Sequence, residues 1–259
     1  MCCKHIPVLG EHSMSEMLLD DETLEDLQLN GLRLIQKKNA FRFGMDSVLL
    51  ADFAAVRNND IVADLGTGNG VLIFLLYGRG KGSEYYAIDI QHEACDLVRR
   101  NAVLNRMEDR IGVINADAVD AASYIRSCSV DSVICNPPYG EPDESLASPN
   151  GNRAVARSQR TETIDHLLKG AYQILKGKGH IFLVYPAAQM LTLMKRLQYH
   201  HLEPKRFQLV YPYPDKPANL VLVEAVKDAK PMLHPMAPLI IYEKDGSLTN
   251  KLKSVYHMS

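Results

Sequence analysis

From residue 61 onward, short apolar runs alternate with stretches of helical periodicity. Runs at 61–65, 85–90, 111–115 and 130–135 read as strands, with helical patterns at 69–77, 92–104 and 118–125 between them. That rhythm predicts βαβ units and a parallel sheet, because parallel neighbours need a crossover connection, usually a helix. Beyond a loop at 140–151 rich in Pro, Ser, Gly and Asn, the pattern resumes: helix near 161–175 ending at Gly177 and Gly179, strand 181–185, helix 187–199. The strand-like runs 207–213 and 220–226 are separated only by Pro214-Asp215-Lys216-Pro217-Ala218-Asn219. A turn that short holds no crossover helix, so the two should pair antiparallel.

The expected fold class is therefore α/β: an open doubly wound sheet, mostly parallel, with one antiparallel strand near the C-terminus. A helix at 45–56 and a small strand or hairpin segment at 24–37 precede it; a linker at 231–238, a strand at 239–242 and a helix at 247–256 follow. The expected organisation is a tail and hairpin segment over 1–40, the main domain over 41–230, and a C-terminal strand and helix docking on it over 231–259.

A chain of 259 residues can bury a substantial single core. The 46% hydrophobic and 23% charged content excludes neither and suggests neither disorder nor a membrane protein. The longest apolar runs, such as 71–77, are too short to cross a bilayer. The N-terminus, broken by Pro7 and Gly10, makes a poor secretion signal, and Met14 offers an alternative start; a cytoplasmic protein is expected, its oligomeric state left open with a monomer slightly favoured. The five cysteines form no C-x-x-C pair and are odd in number, which points to neither a zinc site nor a disulfide framework; no metal is expected. A net charge of −2 argues against indiscriminate coating of nucleic acid. Basic residues gather between Lys176 and Lys216, and Arg153, Arg157 and Arg160 stand in a stretch without acids, so a local polyanion-binding face is open beside the plainer reading of solvated surface.

The first strand runs into Asp64-Leu65-Gly66-Thr67-Gly68-Asn69-Gly70, a glycine loop that opens a helix. Glycines there permit a tight turn and let backbone N–H groups approach a ligand. The spacing is G-x-G-x-G and not the G-x-G-x-x-G of dinucleotide binding, which weakens a dehydrogenase reading. The second strand ends at Asp89-Ile90, where a carboxylate can accept both ribose hydroxyls of an adenosine; the third ends before Asp117-Ala118, where a carboxylate can accept from an adenine amino group. Either acid alone could be a helix cap. Together with the glycine loop, at three successive strand ends, they point to a nucleotide-like ligand. The fourth strand ends in Asn136-Pro137-Pro138-Tyr139.

This succession resembles the class I S-adenosylmethionine-dependent methyltransferases, a Rossmann-like fold, over about residues 40–227. The resemblance implies a cofactor-binding set of Phe43, Asp46, Asp64, Gly66, Thr67, Gly68, Asn69, Gly70, Asp89, Ile90, Asp117, Ala118 and Asn136. The loop passes the methionine end, Asp89 holds the ribose and Asp117 meets the adenine.

The NPPY segment suits an amino group. A nitrogen conjugated to a ring or carbonyl is a poor nucleophile because its lone pair is delocalised. Acceptors for its hydrogens, the Asn136 side-chain oxygen and the Pro137 carbonyl, favour tetrahedral geometry and aim the lone pair at the methyl. Pro137 and Pro138 fix the spacing, and Tyr139 can stack on a planar base. The candidate catalytic residues are thus Asn136, Pro137, Pro138 and Tyr139.

Phe41-Arg42-Phe43-Gly44-Met45-Asp46-Ser47 and Pro214-Asp215-Lys216-Pro217-Ala218-Asn219-Leu220 resemble segments of the bacterial family that methylates adenine N6 next to the anticodon of a valine tRNA. This implies an RNA partner, tRNA in the first place, with Tyr139, Arg153, Arg157, Arg160, Lys216 and Asn219 near the substrate. The chain departs from the A-R-H-E expected of that family at Ala156-Arg157-Ser158-Gln159, beside the substrate entrance. Adenine in DNA, guanine N2 in RNA and a protein glutamine are the alternative acceptors; an RNA-binding module without turnover is a further reading.

Overall fold

A computed structural model describes residues 18–38, 44–137 and 152–256, the side chains of 152–162 apart. In chain order its elements are β1 (Glu22–Asp26), β2 (Arg33–Lys37), α1 (Met45–Phe53), β3 (Ile61–Leu65), α2 (Val71–Gly78), β4 (Glu84–Asp89), α3 (His92–Leu104) and β5 (Ile111–Asn115). A 3-10 helix (Ala118–Ser123), β6 (Val130–Cys135), α4 (Asn152–Ile174), β7 (Leu175–Pro186), α5 (Met190–Tyr199), β8 (Leu202–Tyr211), β9 (Leu220–Lys227), β10 (His234–Pro235), β11 (Leu239–Ile240) and α6 (Asn250–Val255) follow.

The central sheet runs β10, β8, β9, β7, β6, β3, β4, β5, with β11 also pairing to β8. β9 alone runs antiparallel to its neighbours β7 and β8, as the short turn before it requires. The chain travels outward from β3 to β5 and then returns to β6 on the other side of β3. That reversal opens a crevice at the carboxyl ends of β3 and β6, where ligands of open α/β sheets bind.

Alternation along each strand divides the core in two. Val62, Ile134 and Leu222 face a layer that includes α1, α2 and α6, whereas Ala63, Leu65, Val133, Cys135, Val221 and Val223 face α4 and α5. α2 is apolar on nearly every side and correspondingly buried. α1 ends sooner than its apolar pattern suggests because the Lys81 ammonium donates to the carbonyls of Ala51, Asp52 and Ala54 at 2.7, 2.9 and 2.7 Å. These are the C-terminal carbonyls a helix leaves without partners. Residues beyond β9 rejoin the core: β11 extends the sheet edge, and Leu252 and Val255 of α6 are buried against the α1 layer.

Further expectations differ in detail, among them β8, which begins at Leu202 and not at 207. The run 118–125 forms a 3-10 helix instead of an α-helix; Asp117 caps it through the Val119 N–H at 3.1 Å, and α4 presses closely upon it. α4 begins at Asn152, well before 161, and passes into β7 without a loop, so Gly177 and Gly179 lie in a strand.

Candidate active site

Strand register brings the motif residues level. Asp64 pairs with Ile134, Leu65 with Ile88, and Asp89 with Asn115, so Gly66, Asp89, Asn115 and Asn136 end four adjacent strands at one height. At about 4.8 Å per strand, they span roughly 14 Å of sheet edge.

The glycine loop turns above this edge. The N–H groups of Gly66 and Thr67 both donate to the Ile88 carbonyl, at 2.9 and 3.0 Å, tying the loop to β4. Gly66 and Gly68 have φ values of +75° and +56°, which a side chain would strain, and a Cβ on either would meet nothing within 4 Å. The loop therefore leaves room for a ligand.

Beneath it, Asp64 is fully buried. Its Oδ2 accepts from the Thr67 hydroxyl at 2.7 Å, and its Oδ1 has no hydrogen-bond partner among the described residues. Burial, reinforced by the nearby Asp89 charge and opposed by the Thr67 hydrogen bond, pushes the carboxyl up to about 7. A buried carboxylate in this state is stabilised by a cation. A cationic ligand seated beside the loop would supply that charge. Behind it, Cys135 donates to the Leu65 carbonyl at 3.0 Å; burial holds its thiol well above the ordinary range, so it is a packing group and not a nucleophile.

Asp89 accepts from the Gly68 N–H at 2.9 Å and from the Gln91 N–H at 2.9 Å, one bond to each oxygen. Each oxygen retains a second lone pair, the arrangement two ribose hydroxyls would need. Ile90, next in sequence, is 68% exposed, an apolar surface at the sheet edge. Asn115 donates to the carbonyls of Asp89 and Ile90, both at 3.0 Å, and holds that pair in place.

Asp117 is less free than its sequence position implies. Besides the capping bond, its Oδ2 meets His166 Nδ1 of α4 at 3.0 Å. Ala118 is buried, and its carbonyl lies where a Cβ on Gly170 would stand, at 1.9 Å.

At the end of β6, the Asn136 side-chain amide donates to the Ser47 hydroxyl at 3.3 Å, and Pro137 is buried. Ser47 is itself buried in α1, beside Asp46 in the first turn. An amide nitrogen turned toward Ser47 directs the amide oxygen the other way. Lys216 and Asn219 stand exposed in the β8–β9 turn, on the same carboxyl edge. β9 is two strands from β6, about 10 Å away, so they belong to the rim and not to the centre. Phe43, Pro138 and Tyr139 lie outside the described residues, as do the side chains of Arg153, Arg157 and Arg160, which occupy the first turns of α4.

Ser47, Asn115 and His166 were not among the residues singled out from sequence. Ser47 carries a signal in hindsight: it is a polar residue at a core position of an apolar helix. Asn115 and His166 look like an ordinary strand end and an isolated helical histidine until the strands are aligned.

The sheet order, glycine loop and acid-tipped strands together define a class I S-adenosylmethionine-dependent methyltransferase. A family model of the methyltransferase small domain matches residues 42–203, and the chain belongs to that family. Among its relatives is the tRNA1(Val) (adenine(37)-N6)-methyltransferase of Parabacteroides distasonis, 31% identical over 198 residues, which are 75% of this chain and 81% of the relative. The enzyme of that name from Aliivibrio salmonicida is 26% identical over 82% of this chain and 88% of its own. Two solved structures share the fold. A predicted O-methyltransferase of Agrobacterium tumefaciens has a TM-score of 0.66 at 21% identity, over 82% of this chain and 96% of its own. Pyrococcus horikoshii TYW2 in complex with MeSAdo has a TM-score of 0.56 at 18% identity, over 82% of this chain and 73% of its own. No helix among the described residues is long and apolar enough to cross a membrane.

Proposed function

We propose that the chain methylates N6 of an adenine in tRNA, the acceptor named for the curated relatives being adenine 37 of a valine tRNA. The observation that carries this reading is the Asn136 amide, held by Ser47 at the end of β6 and level with the glycine loop.

Bound S-adenosylmethionine supplies an electrophilic methyl group on a sulfonium. In the proposed site Asp64 would compensate its positive charge, Asp89 would accept from its ribose, and Ile90 and Asp117 would bound its adenine. Phe43 and Asp46 are the further residues that the resemblance assigns to it. The Asn136 Oδ1 and the Pro137 carbonyl accept the two hydrogens of the substrate amino group, which withdraws its lone pair from the ring and orients it along the line of transfer. Transfer would form the nitrogen–methyl bond as the carbon–sulfur bond of the cofactor breaks, the electron pair of that bond remaining on sulfur. The nitrogen then carries a positive charge and releases a proton to water, so Asn136 needs no basicity. The resemblance assigns stacking on the base to Tyr139 and the spacing between them to Pro138.

The RNA face draws on Arg153, Arg157 and Arg160, whose spacing of four and three residues on α4 forms one stripe. Lys216 and Asn219 form the opposite rim. Ser158-Gln159 falls between Arg157 and Arg160 in sequence, where the resembling family is expected to carry His-Glu.

Nucleosides of tRNA from cells lacking the gene, compared with the parent by mass spectrometry, test the substrate. A lost fraction of N6-methyladenosine is expected. Unchanged N6-methyladenosine would refute the tRNA reading and leave guanine N2 or a glutamine side chain as the acceptor to examine.

A further inference from the structure

The β1–β2 hairpin is joined to the glycine loop through one side chain. Asn101 of α3 is completely buried. Its Oδ1 accepts from the Ile35 N–H at 2.6 Å, and its Nδ2 donates to the Ile35 carbonyl and to the Asn69 carbonyl, both at 3.0 Å. One turn on, Asn105 repeats the first half of this pattern: Oδ1 accepts from the Arg33 N–H at 3.0 Å and Nδ2 donates to the Arg33 carbonyl at 2.7 Å.

The geometry explains the pairing. Alternate residues of a strand present their backbone groups to the same side, about 6.7 Å apart, while positions four apart on a helix are separated by about 6 Å. Two asparagines at that spacing imitate a neighbouring strand and satisfy the outer edge of β2. Arg100 adds a bidentate pair with buried Glu22 of β1, at 2.6 Å for both bonds. The two asparagines differ in one respect: only Asn101 also bonds the glycine loop. The same face of α3 meets the loop again at Val98, whose Cγ2 would lie 3.2 Å from a Cβ on Gly70.

We propose that Asn101 is a positioning residue for cofactor binding, fixing the Asn69 carbonyl and with it the path of the glycine loop against the docked hairpin. Asn105 docks the hairpin only. The inference rests on the cofactor lying along that loop, which binding of S-adenosylhomocysteine to the unaltered chain tests by itself.

Calorimetry with S-adenosylhomocysteine separates the two roles. Asn101→Ala should weaken binding about tenfold, the effect of losing one buried hydrogen bond and stranding its acceptor. Asn105→Ala, which also releases part of the hairpin edge, should stay within about twofold. In turnover, the Asn101 variant should raise KM for S-adenosylmethionine while kcat stays within about twofold. Asn101→Asp keeps the size and the acceptor for Ile35 but loses the donor to Asn69; it should weaken binding by a similar factor and carries the test if the alanine variant does not fold. Hydrogen exchange on the unaltered chain needs no variant: the ligand should slow the Ile35 amide more than the Arg33 amide. Normal affinity in a folded Asn101 variant, an equal loss in Asn105→Ala, or equal protection of the two amides would overturn the proposal.

Discussion

Asn136 and Asp64 carry opposite tasks within one sheet edge. In the proposed site Asn136 presents neutral acceptors to a nitrogen that must stay unprotonated, so its truncation should strike the chemical step and spare the cofactor. Asn136→Ala is expected to lower methyl transfer by about a hundredfold or more, with S-adenosylhomocysteine affinity within a few-fold of the parent by calorimetry. In the same proposal Asp64 balances the positive charge of the cofactor. Its carboxyl is raised by burial from 3.8 to about 7, so the ligand-free fold holds a proton that the unfolded chain releases between those values. The stability this provides is complete below about pH 4 and is lost as pH rises through about 7. Asp64→Asn removes that dependence: relative to the parent, its midpoint in urea should improve as pH is raised from about 4 to 8. Its affinity for the cationic cofactor should fall about tenfold, and binding to the parent near pH 6 should release protons, visible as a buffer-dependent heat. A parent stability that rises with pH through this range, beyond that of the Asn variant, would contradict the assignment.

Among the elements, α4 links the two sides of the site, since it carries the arginine stripe at its start and His166 and Gly170 further along. Gly170 is required by proximity and not by backbone freedom: a methyl group there would collide with the Ala118 carbonyl. Gly170→Ala should destabilise the chain by about 1–3 kcal/mol or more in urea titrations, whereas Gly177→Ala, where a Cβ meets nothing within 4 Å, should be close to neutral. Equal effects would show that α4 does not pack as described. The strands and α3 were legible because their periodicity is clean; β3, α3, β5 and β6 begin and end where the pattern does. The start of β7 was not, because Leu175-Lys176-Gly177-Lys178-Gly179 has the composition of a helix stop followed by a turn. Pairing with β6, through an irregular register between Val130 and Ser132, overrides that local preference. The asparagine ladder on α3 was equally hidden, since Asn101 and Asn105 become a strand edge only when β2 is laid beside them.

For the whole molecule, the doubly wound order gathers residues from distant parts of the sequence onto one edge: the glycine loop, Asp89, Asp117 and Asn136, with Ser47 arriving from α1 and the β8–β9 turn at the rim. The chemistry was legible from the motifs because each lies at a strand end, where the fold class itself predicts a ligand. The supporting contacts were not, because Ser47, His166 and Asn115 act through tertiary neighbours. The central claim is transfer of a methyl group to an adenine amino group in tRNA. Incubating the purified chain with S-adenosylmethionine and unmodified valine tRNA, then digesting the RNA and weighing its nucleosides, tests it most directly. The account predicts N6-methyladenosine with the parent chain and none above background with Asn136→Ala; methylation at another atom, or undiminished N6-methyladenosine with Asn136→Ala, would contradict it.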